Sequence, residues 1–328
     1  MNLAKSIRVS ITAALVLAIG ISGVANGAAP SIDANASGKI EGSGATFPWN
    51  QYTDWFRSFT DENTEATENT EATAVTTGTS QAQFHSSNST NSLVLGYTGG
   101  GSGAGITNFY GTARKSPTQM FSGSDAVLTS SQRASIEATN IGNKYSVIPA
   151  ITGPLSVVYR LDGLKTTAGA AATLRLNGPV ICGIYLGTIK KWNDPQIKAL
   201  NPSVANLPSA NINVVGRSDG SGTTFVFASY LGKASSAAQK NCGYHSNFTS
   251  STEANLNDAA GTFTPAQTAP GTYFAAIRAA NGAPAITGKP GNGGIAPYIK
   301  ATNFSISYVE SSYASKYGLK EAALAAKT

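Results

Sequence analysis

Hydrophobic residues follow a helical spacing in some parts of the chain and form short continuous runs in others. After residue 48, large apolar side chains recur every three or four positions, which predicts a helix capped by Thr46 that buries Trp49, Tyr52, Trp55, Phe56 and Phe59. Residues 93–97 (LVLGY) and 211–215 (NINVV) are short segments with the composition of strands, and each is followed by a glycine-rich turn and a second helical pattern. This repeated order of strand, turn and helix predicts an α/β fold.

A polar segment separates the first helix from the first of these strands, and we predict a solvated insertion over residues 60–91. Residues 62–67 read ENTEAT, and residues 68–73 repeat the same sequence. Glutamates at this spacing would repel one another along a helix, and the repeat contains no large apolar side chain. The insertion is therefore not expected to contribute a binding surface.

Length and composition predict two domains in an exported protein. A chain of 328 residues, of which 41% are hydrophobic, is long enough for about two domains. Only 12% of the residues are charged, which fits a secreted protein better than a cytosolic enzyme. We predict a first lobe over residues 40–145 that contains the insertion, a second lobe over 146–310, and a C-terminal tail over 311–328.

The N-terminal residues have the pattern of a secretory signal. Lys5 and Arg8 precede an apolar run, and small residues follow it around Gly27. We predict a cleaved signal peptide over residues 1–27 and a flexible lead-in over 28–39. The alternative is a retained membrane anchor, although polar residues interrupt the run and it barely reaches the length of a spanning helix. We expect the mature protein in the periplasm or at the cell surface.

The charge distribution favours an anionic ligand. Removing Lys5 and Arg8 lowers the formal net charge by two, from +6 to +4, and five of the remaining acids lie close together between residues 61 and 71. The rest of the chain is therefore basic and attracts anions. No basic stripe alternates with aromatic residues, so nucleic acid is not an expected partner.

The two cysteines, Cys182 and Cys242, leave two interpretations open. In a chain that is exported to an oxidising compartment they are expected to form a disulfide bond. The other interpretation is two buried thiols. We predict the disulfide.

Three loops have the composition of an oxyanion site: residues 42–48, 99–105 and 217–223. Each lies next to a predicted helix start, where free backbone N–H groups and the helix dipole attract negative charge. The third loop adds the guanidinium group of Arg217 and the hydroxyls of Ser218, Ser221 and Thr223 beside two glycines. An ordinary turn with a surface arginine is the alternative interpretation of this loop.

These loops resemble those of a known family. Residues 42–48, 101–103, 122–126 and 217–223 are similar, in this order, to the ligand loops of the phosphate-binding proteins of the bacterial and archaeal high-affinity phosphate transporter, a periplasmic-binding-protein family. Residues 185–194, which read YLGTIKKWND, resemble a structural landmark of the same family. The resemblance runs from about residue 40 to 318 and implies a two-lobed α/β fold of the type II, Venus-flytrap kind.

The resemblance also implies a ligand and a set of contacts. The ligand is inorganic phosphate, and the partner is the permease of an ABC transporter in the membrane. No cofactor, metal or catalytic residue is implied. Phe47 is expected to act through its backbone N–H. Asp219 is expected to hold Arg217 in place, or alternatively to cap the next helix. The implied phosphate contacts are Thr46, Phe47, Ser102, Asp125, Arg217, Ser221, Gly222 and Thr223.

Two of these residues carry specific expectations. An ionised Asp125 can accept the hydrogen of hydrogen phosphate, whereas sulfate offers no hydrogen, so Asp125 is expected to select phosphate. Alternatively, Asp125 caps the helix that begins near Thr129 or pairs with a basic residue. We expect Arg217 to face an open cleft and to contribute little to the core.

The resemblance ends before the usual C-terminus of the family, so the first lobe is expected to be smaller, or to be completed by the polar insertion or by another chain. This difference motivates an alternative function, a surface structural or interaction glycoprotein that reuses the fold. Sequons at Asn35, Asn88, Asn247 and Asn303 also favour that alternative. An enzyme is not expected, because His85 and His245 lie in polar surroundings without metal-ligand spacing and no nucleophile motif is present.

Overall fold

The computed structural model describes residues 38–60, 83–87, 93–110, 119–128, 130–138, 145–234 and 270–325. The predicted signal peptide, the ENTEAT repeats, Cys242, His245 and the sequons at Asn35, Asn88 and Asn247 lie outside these ranges, as does nearly all of the predicted lead-in. Within the described ranges, no helix is both long and apolar enough to cross a membrane.

The described residues form eleven strands and nine helices. The strands are β1 (Gly38–Gly44), β2 (Gln83–Ser87), β3 (Leu93–Gly99), β4 (Gln119–Gly123), β5 (Leu155–Arg160), β6 (Arg175–Leu176), β7 (Asn213–Arg217), β8 (Thr287–Lys289), β9 (Ser305–Glu310), β10 (Lys320–Glu321) and β11 (Ala323–Leu324). The helices are α1 (Trp49–Thr60), α2 (Ser102–Tyr110), α3 (Ser130–Glu137), α4 (Gly178–Leu186), α5 (Pro195–Leu200), α6 (Gly222–Ala234), α7 (Pro270–Ala280), α8 (Gly291–Ala301) and α9 (Ser311–Tyr317).

The first sheet has the strand order β2-β3-β1-β4, and β1 runs parallel to both β3 and β4. Helix α1 covers this sheet with its aromatic face, as the apolar spacing predicts. Trp49 and Tyr97 are buried at the contact, and the Tyr52 ring meets the Tyr97 and Phe121 rings edge-on. This small aromatic core holds the loops that follow β1, β3 and β4.

Strand β2 corrects one prediction. Residues 83–87 lie inside the polar segment that we predicted to be a solvated insertion, but they pair antiparallel with β3. An edge strand is held by backbone hydrogen bonds along one side and needs few apolar side chains, so a polar composition does not exclude it. Phe84 stands opposite Tyr97 in the ladder.

The second sheet has the strand order β10-β5-β9-β7-β8. Strand β7 runs parallel to β8 and β9, whereas β5 and β9 are antiparallel. All six residues of β9 are buried, as expected for a central strand that is covered on both faces. The largest side chains of the surrounding core include Trp192, Tyr185 and Tyr308. Trp192 and Tyr185 belong to the predicted structural landmark.

The C-terminal residues are part of this second sheet rather than a separate tail. The left-handed conformation of Gly318, with φ of 60°, ends α9 and turns the chain back, so that β10 pairs with β5. Strand β11 then pairs with β6. The predicted lobe boundaries stay predictions, although the strands of the two sheets lie on either side of residue 145.

Cys182 is completely buried in α4. Because its predicted partner Cys242 lies outside the described residues, the disulfide bond stays a prediction.

Candidate anion-binding site

The predicted ligand loops lie at the carboxyl ends of parallel strands. The loops after β1, β3 and β7 each lead into a helix, namely α1, α2 and α6, and a fourth loop follows β4. Open α/β sheets bind their ligands at such strand ends. The predicted contact side chains are almost completely buried there, with exposed fractions of 4% or less: Thr46, Ser102, Arg217, Ser221 and Thr223.

Asp125 connects the two sheets. Its Oδ1 accepts a hydrogen bond of 2.8 Å from the Ser102 hydroxyl, which belongs to the first sheet's side of the site. Its Oδ2 accepts a hydrogen bond of 3.0 Å from the hydroxyl of Thr223, at the start of α6. Both carboxylate oxygens therefore face hydroxyl donors inside the site.

Asp125 is half-buried as a residue, and its carboxyl lies among the buried side chains of Ser102 and Thr223. Burial raises the pKa of its carboxyl above the ordinary value, and the hydrogen bonds from Ser102 and Thr223 and the positive charge of Arg217 only partly oppose this effect. The sequence left two other roles open for Asp125, and one of them is present: Asp125 interacts electrostatically with a basic residue, Arg217.

Gly222 lies where the two sides of the site come into close contact. Its backbone N–H donates to the Ser102 hydroxyl oxygen at 3.1 Å, and the nearby Gly103 N–H donates to the carbonyl of Gly220 at 3.0 Å. A Cβ atom at position 222 would lie 2.5 Å from Asp125 Cγ and 2.5 Å from Ser102 Oγ. Only glycine permits this distance between the loops.

Arg217 is held in a fixed orientation by Asp219. Its Nε donates to Asp219 Oδ1 at 2.7 Å, and its Nη2 donates to Asp219 Oδ2. Its Nη1 points to the hydroxyl of Thr223 at 3.4 Å. Burial alone would lower the pKa of the guanidinium, but the charge and hydrogen bonds of Asp219 outweigh this effect and raise it. Arg217 therefore stays positively charged.

The burial of Arg217 corrects our expectation of an open cleft. The side chain is 1% exposed and is among the largest fully buried side chains of the described residues. Such burial of a charged group is tolerated because Asp219 pairs with it in a forked geometry. Asp219 thus holds Arg217, as expected, and its Oδ1 also accepts from the N–H of Gly291 at 3.1 Å.

The remaining predicted contacts lie at the helix starts. The Thr46 hydroxyl oxygen accepts from the backbone N–H of Asn292 at 3.2 Å, and the Ser221 hydroxyl oxygen accepts from the N–H of Thr224 at 3.1 Å at the start of α6. The ring of Phe47 lies against Gly153, in the segment that leads into the second sheet. This leaves the backbone N–H as the group through which Phe47 can act on a ligand.

Asn292 lies beside the candidate site and was not predicted from the sequence. It is the second residue of α8 and is completely buried next to Thr46. The sequence did contain a signal, since residues 287–299 repeat the order of strand, glycine-rich turn and helix that identified the other loops.

The site offers buried donors but no metal centre among the residues described. No group of three or more His, Cys, Asp or Glu residues in these ranges could hold a metal ion. What the arrangement provides is one fixed cation, several hydroxyl and backbone donors, and one carboxylate that can accept a hydrogen.

Comparison with known proteins identifies the class. A family model of the PBP superfamily domain matches residues 29–328, so the chain belongs to the PBP superfamily. A solved structure, described as a high-affinity periplasmic phosphate-binding protein (PfluDING) bound with phosphate at pH 8.5, superposes with a TM-score of 0.50 at 18% identity over 88% of this chain and 62% of that chain. The predicted two-lobed α/β fold is confirmed.

Two curated relatives narrow the resemblance. The phosphate-binding protein PstS 3 of Mycobacterium leprae is 40% identical over 142 residues, which are 43% of this chain and 35% of that protein. The phosphate-binding protein PstS of Xylella fastidiosa is 30% identical over 296 residues, which are 90% of this chain and 60% of that protein. The predicted resemblance to phosphate-binding proteins is confirmed, and the chain spans less than two thirds of the length of these relatives.

Proposed function

We propose that this chain is an exported solute-binding protein that binds inorganic phosphate for uptake by an ABC transporter. The observation that carries the proposal is the position of Asp125 between the hydroxyls of Ser102 and Thr223, with the buried cation Arg217 beside them. This is a site with both a positive charge and a hydrogen acceptor. A tetrahedral anion that carries a hydroxyl needs both.

The donors would bind the phosphate oxygens. Arg217 supplies guanidinium N–H groups, and the buried hydroxyls of Thr46, Ser102 and Thr223 supply short, adaptable hydrogen bonds. The N–H groups at the start of α6 add the positive end of a helix dipole, which favours anions. The roles of these residues as phosphate contacts are part of the proposal.

Asp125 would supply the selectivity. An ionised carboxylate accepts the hydrogen of hydrogen phosphate, whereas it would face a bare oxygen of sulfate. An unpaired buried acceptor costs about 1–3 kcal/mol, and more when it is charged. A preference for phosphate over sulfate of at least about fivefold follows from that cost.

The cellular role rests on the relatives. Export, periplasmic or surface location and delivery to a membrane permease are proposed because the named relatives are phosphate-binding proteins of the PstS type. Binding and release require no covalent chemistry, so we propose no enzymatic activity. No observation of the described residues favours the alternative, a surface structural glycoprotein.

Calorimetric titration of the purified full-length secreted protein with phosphate and with sulfate tests the proposal. We expect one phosphate per chain, bound with a clear preference over sulfate. If phosphate releases no heat and does not raise the melting temperature, the proposed function is wrong. A second test concerns the transport role: deleting the gene should slow phosphate uptake at low external phosphate, and restoring it should rescue uptake.

A further inference from the structure

Helix α8 begins inside the candidate site. It is 11 residues long, and its first four residues, 291–294, are all buried. The residue before it, Pro290, has no side chain that can cap the free N–H groups. Two of these N–H groups instead bind site residues: Gly291 donates to Asp219 at 3.1 Å and Asn292 donates to Thr46 at 3.2 Å.

The side chain of Asn292 is buried without a partner. Its exposed fraction is 0%, and neither its Nδ2 nor its Oδ1 forms a hydrogen bond with any residue in the part of the chain that the structure describes. Buried amides are nearly always paired in native proteins, because an unpaired polar group loses its water without compensation. The adjoining residues do form hydrogen bonds, so the missing pairing is confined to the amide.

The position of this amide indicates a ligand. It is one residue from the N–H that holds Asp219, the partner of Arg217, and its own N–H holds Thr46. It therefore stands at the positive end of a helix dipole between two predicted elements of the anion site.

We propose that Asn292 is a further contact for the anion, in addition to the contacts that the family resemblance implies. Its Nδ2 donates to an oxygen of the ligand, and its Oδ1 accepts a ligand hydroxyl hydrogen. This proposal rests on the proposed function and narrows the ligand class to tetrahedral oxyanions with two hydroxyls, such as dihydrogen phosphate, because Asp125 and Asn292 each accept one hydrogen. Asn292 and Asp125 are then the two groups that accept hydrogen bonds from the ligand's hydroxyls.

Two substitutions test the contact. Asn292→Leu keeps a similar branched shape but removes both polar atoms, so phosphate affinity should fall about tenfold or more. In phosphate-free buffer the same variant should melt at the same or a higher temperature, because an unpaired polar group has been removed. Asn292→Asp replaces the donor with a negative charge that repels the anion, and it should weaken phosphate binding further.

Two variants serve as matched controls. Asn201→Leu changes another buried amide, but Asn201 is hydrogen-bonded to Arg175 and Ile197. It should lower the melting temperature and leave the phosphate affinity of the folded protein unchanged. Gln196→Glu makes the same charge change as Asn292→Asp at an exposed position of α5, and it should bind phosphate like the wild type.

The outcomes separate this proposal from the proposed function. If the wild type does not bind phosphate, the proposed function is wrong, and the role of Asn292 is wrong with it. If the wild type binds phosphate and both Asn292 variants bind it equally well, only the present inference is overturned. An Asn292→Leu protein that melts at a lower temperature or does not fold would also overturn it, since the amide would then be structural.

Discussion

Thr223 donates its hydroxyl hydrogen to Asp125 Oδ2 over 3.0 Å, between residues that are 98 positions apart in the chain. Thr223 lies at the start of α6, which follows the second sheet, and Asp125 lies in the loop after the first sheet's β4. The bond therefore ties the two lobes at the place where the anion contacts are predicted. Changes at this junction are expected to alter ligand selectivity and the approach of the lobes together.

Asp125→Asn should narrow the preference for phosphate over sulfate. The amide keeps the shape of the side chain but removes the ionised acceptor, so sulfate no longer faces an unpaired negative charge. We expect sulfate to gain affinity relative to phosphate by about tenfold, as measured by competition titration. Asp162→Asn is the control, since Asp162 pairs with Arg160 at an exposed position. Equal selectivity in Asp125→Asn and wild type would contradict the role of Asp125.

Asp125 should also give the phosphate-free protein a characteristic dependence on pH. Burial raises its pKa in the folded state, so between the ordinary value of 3.8 and the raised value the folded protein binds more protons than the unfolded chain. The contribution of Asp125 therefore makes the fold more stable as pH falls through this window, and this stabilisation is lost as pH rises through the raised pKa.

Chemical denaturation of wild type and Asp125→Asn over a pH series measures this effect. The difference in unfolding free energy between the two should shift in favour of the wild type as the pH is lowered towards 4, close to the ordinary value of 3.8. A difference that is constant with pH, or that shifts towards the variant, would mean that the folded-state pKa of Asp125 is not raised.

The sequence predicted the elements that have strong local signals. The aromatic spacing of Trp49 to Phe56 gave α1, and the short segments of strand composition with glycine turns gave β3 and β7 with their helices. Edge strand β2 was missed because its stability comes from backbone pairing with β3, which leaves no apolar pattern. Pairing of β10 with β5 was missed for the same reason, since it joins residues that are about 160 positions apart.

The candidate site shows the same contrast between features with a local sequence signal and features that depend on tertiary packing. Residue types and glycine spacing identified Arg217, and the family resemblance identified Asp125, but the burial of Arg217 depends on tertiary packing that no local pattern encodes. Asn292 has an ordinary polar side chain in a glycine-rich turn. Its complete burial and its lack of a hydrogen-bond partner among the described residues distinguish it from a surface asparagine.

Cys182 and Cys242 should be joined by a disulfide bond in the exported protein. Mass spectrometry of protein that is alkylated without reductant should find neither cysteine labelled, and reduction should expose both. Breaking the bond by Cys242→Ser should lower the unfolding free energy by up to about 4 kcal/mol on the chain-entropy estimate. Two labelled cysteines in the non-reduced protein would contradict the prediction.

Arg217→Lys should weaken phosphate binding, because lysine replaces a planar fork of donors with a single point charge. Hydrogen bonds to charged groups contribute about 1.5–3 kcal/mol, so the loss of one lowers affinity about tenfold to a hundredfold. Because Arg217 is buried against Asp219, we also expect the unfolding free energy to fall by about 1–3 kcal/mol while the protein still folds.

Arg160→Lys is the matched control for Arg217→Lys. Arg160 pairs with Asp162 in the same residue spacing, but at the surface, where such pairs contribute little. It should bind phosphate like the wild type and keep its stability. If Arg217→Lys also binds phosphate like the wild type, the loop over residues 217–223 is not the centre of the site.

Gly222→Ala should reduce phosphate affinity by keeping the two lobes apart. The added Cβ would lie 2.5 Å from both Asp125 Cγ and Ser102 Oγ, which is closer than atoms in real proteins approach, so the loops must separate. Such overpacking costs about 1–3 kcal/mol, which corresponds to a loss of roughly fivefold to a hundredfold in affinity when the closed arrangement is the one that binds. Each lobe should keep its own fold, because the clash lies between them.

Gly169→Ala is the control: Gly169 has a φ of 82°, so alanine there strains the backbone, but it has no neighbour within 4 Å. Gly169→Ala should lower the melting temperature in phosphate-free buffer and leave phosphate affinity unchanged. Gly222→Ala should keep the melting temperature in phosphate-free buffer and lower phosphate affinity. Wild-type affinity in Gly222→Ala would mean that phosphate binding does not require the contact between Ser102, Asp125 and the start of α6.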